Sequence, residues 1–77
     1  MKITINDNDI KQLKKLKDAR INRYLGMINN INEDDAIEFM DYLYDKSNNY
    51  LKGKDYIETP ESILLEKIAD SIYDKTK

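Results

Sequence analysis

Apolar residues recur at helical spacing in three stretches of the chain, and the first stretch spans residues 9–28. Asn and Asp residues at 6–9 offer an N-cap for its start. On a helical projection, six apolar side chains share one broad face: Ile10, Leu13, Ile21, Tyr24, Leu25 and Ile28. Lys17 falls inside this face, and Lys14 and Arg20 lie at its borders. We therefore expect one helix whose apolar face is interrupted by a lysine.

The other two stretches predict helices over residues 33–52, with Asn32 as N-cap, and over residues 60–75. The third helix has a strong start, since Thr59 is a good N-cap and Pro60 suits the first helical position. Eight residues are expected to form the buried face of the second helix: Ala36, Ile37, Met40, Leu43, Tyr44, Ser47, Tyr50 and Leu51. Five residues are expected to form the inner face of the third: Leu64, Leu65, Ile68, Ala69 and Ile72.

Ile3 and Ile5 alternate with polar residues near the start of the chain, a pattern that suits a short β-strand. Its partner would be the segment 54–58, a second copy of the chain, or the sheet edge of another protein. An extended arm packed on the helices fits the same pattern. The prediction for residues 1–77 is a single, mainly α domain: a small three-helix bundle with a short N-terminal strand.

Composition narrows the chemistry that this domain can perform. The chain has 77 residues without Cys or His, which excludes a disulfide framework and argues against zinc binding. Its longest apolar run covers only 63–65, so we expect no membrane span and a cytoplasmic protein. A core of this size contributes only about 3–5 kcal/mol, which favours a homodimer or another partner. Abundant Ile, Lys, Asp, Asn and Tyr are typical of an AT-rich genome, such as that of a bacterium, phage or mobile element.

The two parts of the chain carry opposite charge. Residues 1–32 have seven Lys and Arg against three Asp and Glu, a net charge of +4. Residues 33–77 have six Lys against twelve Asp and Glu, a net charge of −6. The formal total of −2 therefore conceals a bipolar molecule.

Acidic residues on the second and third helices fall into rows. The first acidic row has spacings of four, three and four residues: Asp34, Glu38, Asp41 and Asp45. The second acidic row has spacings of four and four: Glu66, Asp70 and Asp74. Like charges one turn apart destabilise an isolated helix by about 0.2–0.5 kcal/mol per pair. Within the helices, only Lys67 stands one turn from a row residue, Asp70, and relieves that repulsion.

Three interpretations of the rows compete. The rows form a solvated face that keeps the protein soluble, a surface that cations of the same chain neutralise, or a docking surface for a basic partner. Lys14, Lys17 and Arg20 are the cations expected to reach across in the second case. Tyr42 beside the first row and Ile63 beside the second favour docking, because aromatic and aliphatic side chains commonly anchor interfaces.

The function predicted from these features is a non-enzymatic protein-binding module. It would dock on a basic surface of a larger protein, and it would act as an inhibitor if that surface normally holds nucleic acid. The predicted partner-binding residues are Asp34, Glu38, Asp41, Tyr42, Asp45, Ile63, Glu66, Asp70 and Asp74.

Two alternatives remain open. The first is nucleic-acid binding through cations of the first helix: Lys11, Lys14, Lys15, Lys17, Arg20 and Arg23. These cations do not share one side of the helix, and the acidic second half of the chain would weaken attraction to phosphates. The second alternative is a homo-oligomeric assembly module that pairs strands through Ile3 and Ile5.

Catalysis, metal binding and cofactor binding are not predicted. Catalytic carboxylate pairs need a pocket that separates their pKa values, and these acids face solvent on separate helices. The segments around Asp7, Asp9 and Asp45 lack the glycine and terminal glutamate of a calcium loop. Neither Gly26 nor Gly53 belongs to a phosphate-binding loop. We therefore assign no catalytic residue, no metal ligand and no cofactor.

Overall fold

A computed structural model describes residues 2–51 and 57–76 of the chain. It contains four helices: α1 (Asp7–Lys15), α2 (Ala19–Leu25), α3 (Glu33–Asn49) and α4 (Pro60–Thr76). α3 packs against α4, and α1 leads into α2 across a short turn. The mainly α class is confirmed, but four helices form where three were predicted.

The single helix predicted over 9–28 is wrong, because the chain leaves the helical path between α1 and α2. The Asp18 carboxylate caps α2 by accepting hydrogen bonds from the amides of Arg20 and Ile21, at 2.9 and 3.1 Å. Lys17 has a φ of 54°, in the left-handed region. The break places Lys17 in solvent instead of on the buried face, and the six apolar residues predicted for that face still pack in or against the core.

Replacing Lys17 with glycine is expected to stabilise the fold. A side chain in the left-handed region costs about 1–2 kcal/mol, and the extra chain entropy of an unfolded glycine offsets about half of that. We expect a net gain of roughly 0.5–1 kcal/mol in the free energy of unfolding, measured by urea denaturation. Lys11→Gly, in the middle of α1, is the matched control and should lose about 0.5–1 kcal/mol. A loss of the same size at Lys17 would contradict the left-handed turn.

The N-terminal strand is also wrong for the described residues. Residues 2–6 run as an extended arm on the helices, the alternative that the alternating pattern left open. The Ile3 amide donates to the Ile28 carbonyl at 2.8 Å, and the Ile3 side chain is buried at 2 % exposure. The core therefore buries the Ile3 side chain without a sheet among the described residues. Most of the proposed partner segment, 54–56, lies outside the described residues.

α3 buries most of the face predicted for it, but it is rotated so that Phe39 is buried and Ile37 is exposed. Phe39 is fully buried, and its ring stacks on Tyr24 of α2 with the ring centroids 4.8 Å apart. Ala36 and Leu43 are buried as predicted, but Ile37 is exposed. The remaining predicted residues are buried or half-buried: Met40, Tyr44, Ser47, Tyr50 and Leu51. The aromatic pair with α2 therefore sets the rotation of α3 about its axis.

The predictions for α4 are confirmed. The five residues expected on its inner face are all buried, and the helix begins at Pro60. The Thr59 hydroxyl accepts the Ser62 amide at 3.2 Å, and the Ser62 hydroxyl accepts the Thr59 amide at 2.9 Å. The Thr59 hydroxyl also donates to the Tyr50 carbonyl at 2.8 Å, which joins the start of α4 to the end of α3.

Candidate functional site

The first acidic row lies along the exposed side of α3. All four of its carboxylates are solvent-exposed, on the side opposite Phe39 and Leu43. Ile37, which is 37 % exposed, lies on this side between Asp34 and Asp41. The row is therefore a solvent-facing strip of negative charge with an aliphatic side chain at its margin.

The second acidic row lies on the exposed side of α4, and Tyr44 of α3 forms a hydrogen bond to it. The Tyr44 hydroxyl donates to Oδ1 of Asp70 at 2.5 Å. This hydrogen bond, burial of the ring, and the negative charges of Asp70 and Glu66 raise the pKa of Tyr44 to about 12. Tyr44 therefore keeps its proton at neutral pH and ties the two helices together. We call the two rows with Tyr44 the acidic face.

In the described part of the chain, each ion-paired lysine contacts an acid outside both rows. Lys46 Nζ lies 3.3 Å from Oδ2 of Asp18, and Lys67 Nζ lies 3.1 Å from Oδ2 of Asp9. The Asp18 and Asp9 side chains are only 12 % and 10 % exposed. Lys67 thus pairs with Asp9 and not with Asp70, its expected neighbour. Across the described ranges, no ion pair within 4 Å reaches a carboxylate of either row.

Arg20 approaches the first row without forming an ion pair with it. Its guanidinium carbon lies 4.7 Å from the centroid of the Tyr42 ring. The Tyr24 hydroxyl, and more weakly Tyr42 and Glu38, raise the pKa of Arg20. The same Tyr24 hydroxyl lies 3.4 Å from Oε2 of Glu38, a long hydrogen bond. Arg20 therefore screens Glu38 only in part.

Tyr42 is attached to the start of α2. Its hydroxyl donates to Oδ2 of Asp18 at 2.7 Å, and Lys46 Nζ lies 5.9 Å from its ring centroid. Burial acts to raise the pKa of Asp18, but hydrogen bonds from Tyr42 and the Ile21 amide, with Lys46, outweigh it and hold that pKa below 3.8. Burial and the Asp18 carboxylate raise the pKa of Tyr42. Tyr42 is half-buried, so only part of its side chain can contact a partner.

Exposed apolar side chains accompany the acidic face. Among the described residues the large ones are Ile37, Ile57, Ile63 and Tyr73. Ile63, a predicted contact residue, is 51 % exposed and lies beside Glu66 along an open groove of about 190 Å³. The predicted contact set omits Ile37. The sequence did contain the signal, because spacings of three and four residues from Asp34 and Asp41 place Ile37 on the side of the first row.

The cations of the alternative nucleic-acid surface are spread over several sides of the molecule. Lys11 and Lys15 line an open groove of about 420 Å³, whereas Lys14 lines a different groove of about 540 Å³. Arg20 lies against α3, and Lys17 is exposed in the turn between α1 and α2. Neither Lys14 nor Lys17 forms an ion pair with another described residue. This arrangement does not favour a helix that enters a nucleic-acid groove.

Metal sites, membrane spans and a comparison with known proteins add no constraint on function. Within residues 2–51 and 57–76, no group of three acidic side chains is placed to hold a metal ion. No helix in those ranges is long and apolar enough to cross a bilayer. Comparison with known proteins found no matching family model, curated protein or solved structure. The surface of the chain itself must therefore carry any functional proposal.

Proposed function

We propose that this protein is a non-enzymatic binding module that docks its acidic face onto a basic surface of a larger protein. One observation carries the proposal. The two rows hold seven exposed carboxylates, and the ion-paired lysines of the described chain, Lys46 and Lys67, neutralise acids elsewhere. Like charges one turn apart repel by about 0.2–0.5 kcal/mol per pair, and a cationic partner relieves that repulsion when it binds.

Charge and apolar contacts have different roles in this interface. Complementary charge speeds encounter and fixes orientation, but it adds little net affinity at an exposed rim. Apolar side chains that become buried supply more of the affinity. Ile37 beside the first row and Ile63 beside the second are the exposed aliphatic residues placed to do this.

An inhibitory role follows if the partner's basic surface is a nucleic-acid site. Carboxylates four residues apart recur about every 6 Å along a helix, which makes each row a line of regularly spaced negative charge. A nucleic-acid backbone presents the same kind of line to lysines and arginines. The module and the nucleic acid would then compete for one surface, and raised salt would weaken both complexes.

The test of this function reverses charge in the first row. Asp41→Lys combined with Asp45→Lys is expected to weaken binding to the partner captured from the source cell by at least about tenfold. Both residues are exposed, and neither forms an ion pair with another described residue, so the fold should persist. The measurement is a titration of the purified partner against each variant.

The matched control, Asp7→Lys combined with Glu61→Lys, changes the net charge by the same amount outside the acidic face. It should bind the partner like the wild type. Equal affinity of the row variant and the wild type would remove the proposal. A mobility shift of duplex or single-stranded nucleic acid by the protein alone at low salt would instead support the alternative function.

A further inference from the structure

An open groove of about 540 Å³ lies between α1 and α2. Its floor is apolar and its rim is polar, with Ile10, Leu25 and Ile28 below and Lys14, Asn22 and Asn29 above. None of the residues that line the groove belongs to the first acidic row, so the groove and the row are two distinct surfaces.

The groove fits an aliphatic side chain flanked by carboxylates. The apolar floor would remove the aliphatic group from water. The Lys14 ammonium and the side-chain amides of Asn22 and Asn29 are all able to donate hydrogen bonds to carboxylate oxygens, and no acidic residue lines the groove. The groove also belongs to residues 1–32, the part of the chain with a net charge of +4.

The chain carries a group of this chemistry on its own surface. Ile37 is exposed, and Asp34 and Asp41 flank it one turn away on either side. Ile63 is more exposed, but Glu66 is the one acidic residue a turn away from it, so carboxylates do not flank it on both sides. Ile37 is therefore the better complement of the groove.

We infer that Ile37 and the first acidic row of one copy dock in the α1–α2 groove of a second copy. Because the two surfaces are distinct, the contact is head-to-tail, and it can extend into an open chain of copies. The contact needs no foreign partner. It covers the first acidic row, so self-association and the partner binding proposed above exclude each other.

Self-association of this kind is weak and depends on salt. One aliphatic side chain and a few charged contacts make an interface well below the usual size of about 1,200–2,000 Å². In sedimentation velocity runs, the weight-average sedimentation coefficient of the wild type should rise between micromolar and millimolar protein at low salt. The rise should disappear at high salt.

A charge swap tests the pairing. Lys14→Glu alone and Asp41→Lys alone should each abolish the concentration dependence, and the two substitutions in one chain should restore it. Asp41→Lys brings the net charge of −2 closer to zero, which by itself favours association, so a loss identifies the specific contact. A flat profile for the wild type, or no recovery in the swapped chain, overturns the inference.

Isoleucine variants provide the matched control, since neither changes the charge. Ile37→Ser should abolish self-association, and Ile63→Ser should leave it intact; the reverse result also overturns the inference. Lys14 lies outside the acidic face, so Lys14→Glu should still bind the foreign partner. Failure of self-association is therefore distinguishable from failure of the proposed function.

Discussion

Phe39→Ala is expected to leave most of the protein unfolded at room temperature. Phe39 is fully buried, and its ring stacks on Tyr24 with an interplanar angle of 18°. Removing a buried phenylalanine side chain costs about 3–5 kcal/mol. The core of a chain this size contributes roughly the same amount in total. Far-UV circular dichroism and urea titration will measure the loss of helix and the shift of the unfolding midpoint.

Ile37→Ala is the control for Phe39→Ala on the same helix. Ile37 is exposed, so its truncation should change the free energy of unfolding by less than about 0.5 kcal/mol. The two variants together report how α3 is rotated about its axis. A large loss at Ile37 with a small loss at Phe39 would show that α3 is rotated to bury Ile37 instead of Phe39, and Ile37 would then not be exposed for docking.

The rotation of α3 shows where sequence patterns stop being sufficient. Apolar residues lie on more than one side of this helix, and both Ile37 and Phe39 fit a helical period with Leu43 or Met40. The choice depends on the ring of Tyr24, which comes from a different helix. α4 had no such ambiguity, because its cap at Thr59 and its apolar residues all indicate one face.

The prediction of one unbroken helix over 9–28 failed for a local reason, the break between α1 and α2. A lysine on an apolar face also fits an unbroken helix, since its stem can lie along the face while its ammonium reaches water. Asp18 is a good N-cap residue, but a cap there requires Lys17 to adopt a conformation that lysine rarely takes. No pattern in the sequence marks that exception.

The acidic rows could be predicted from spacing alone, whereas their electrostatic surroundings could not. Spacings of three and four residues place carboxylates on one side of any helix, and all seven row residues are exposed. The partners of Lys46 and Lys67 are acids far away in the chain, Asp18 and Asp9. Only the tertiary fold shows that these lysines already form ion pairs with other acids. The rows therefore have no ion pairs among the described residues.

Asp18 links the fold to one margin of the acidic face. Its carboxylate caps α2, accepts the Tyr42 hydroxyl at 2.7 Å and pairs with Lys46 at 3.3 Å. Tyr42 in turn lies under Arg20, beside the first row. Loss of Asp18 would therefore loosen α2 and would also release Tyr42 and Lys46 next to the acids of that row.

Asp18→Ala should lower the free energy of unfolding by about 2–5 kcal/mol, since an N-cap is worth about 0.5–2 kcal/mol and a hydrogen bond to a charged group about 1.5–3 kcal/mol. Urea denaturation at neutral pH will measure it. Asp41→Ala is the control, because Asp41 is exposed and forms no ion pair within the described residues. It should change stability by less than about 0.5 kcal/mol. Equal effects of the two substitutions would show that the Asp18 contacts do not hold the fold.

The contribution of Asp18 should also depend on pH. Its pKa in the folded protein lies below the ordinary value of 3.8, so the folded state favours the charged carboxylate. That contribution is complete above pH 3.8 and is lost as the pH falls through the folded pKa. Asp18→Asn keeps an N-cap but has no charge to lose, and comparing it with the wild type cancels the titration of the other carboxylates. The stability difference between the two proteins should therefore stay constant near neutral pH and shrink in acid. A difference that persists unchanged in acid would show that Tyr42 and Lys46 do not hold Asp18 as a carboxylate.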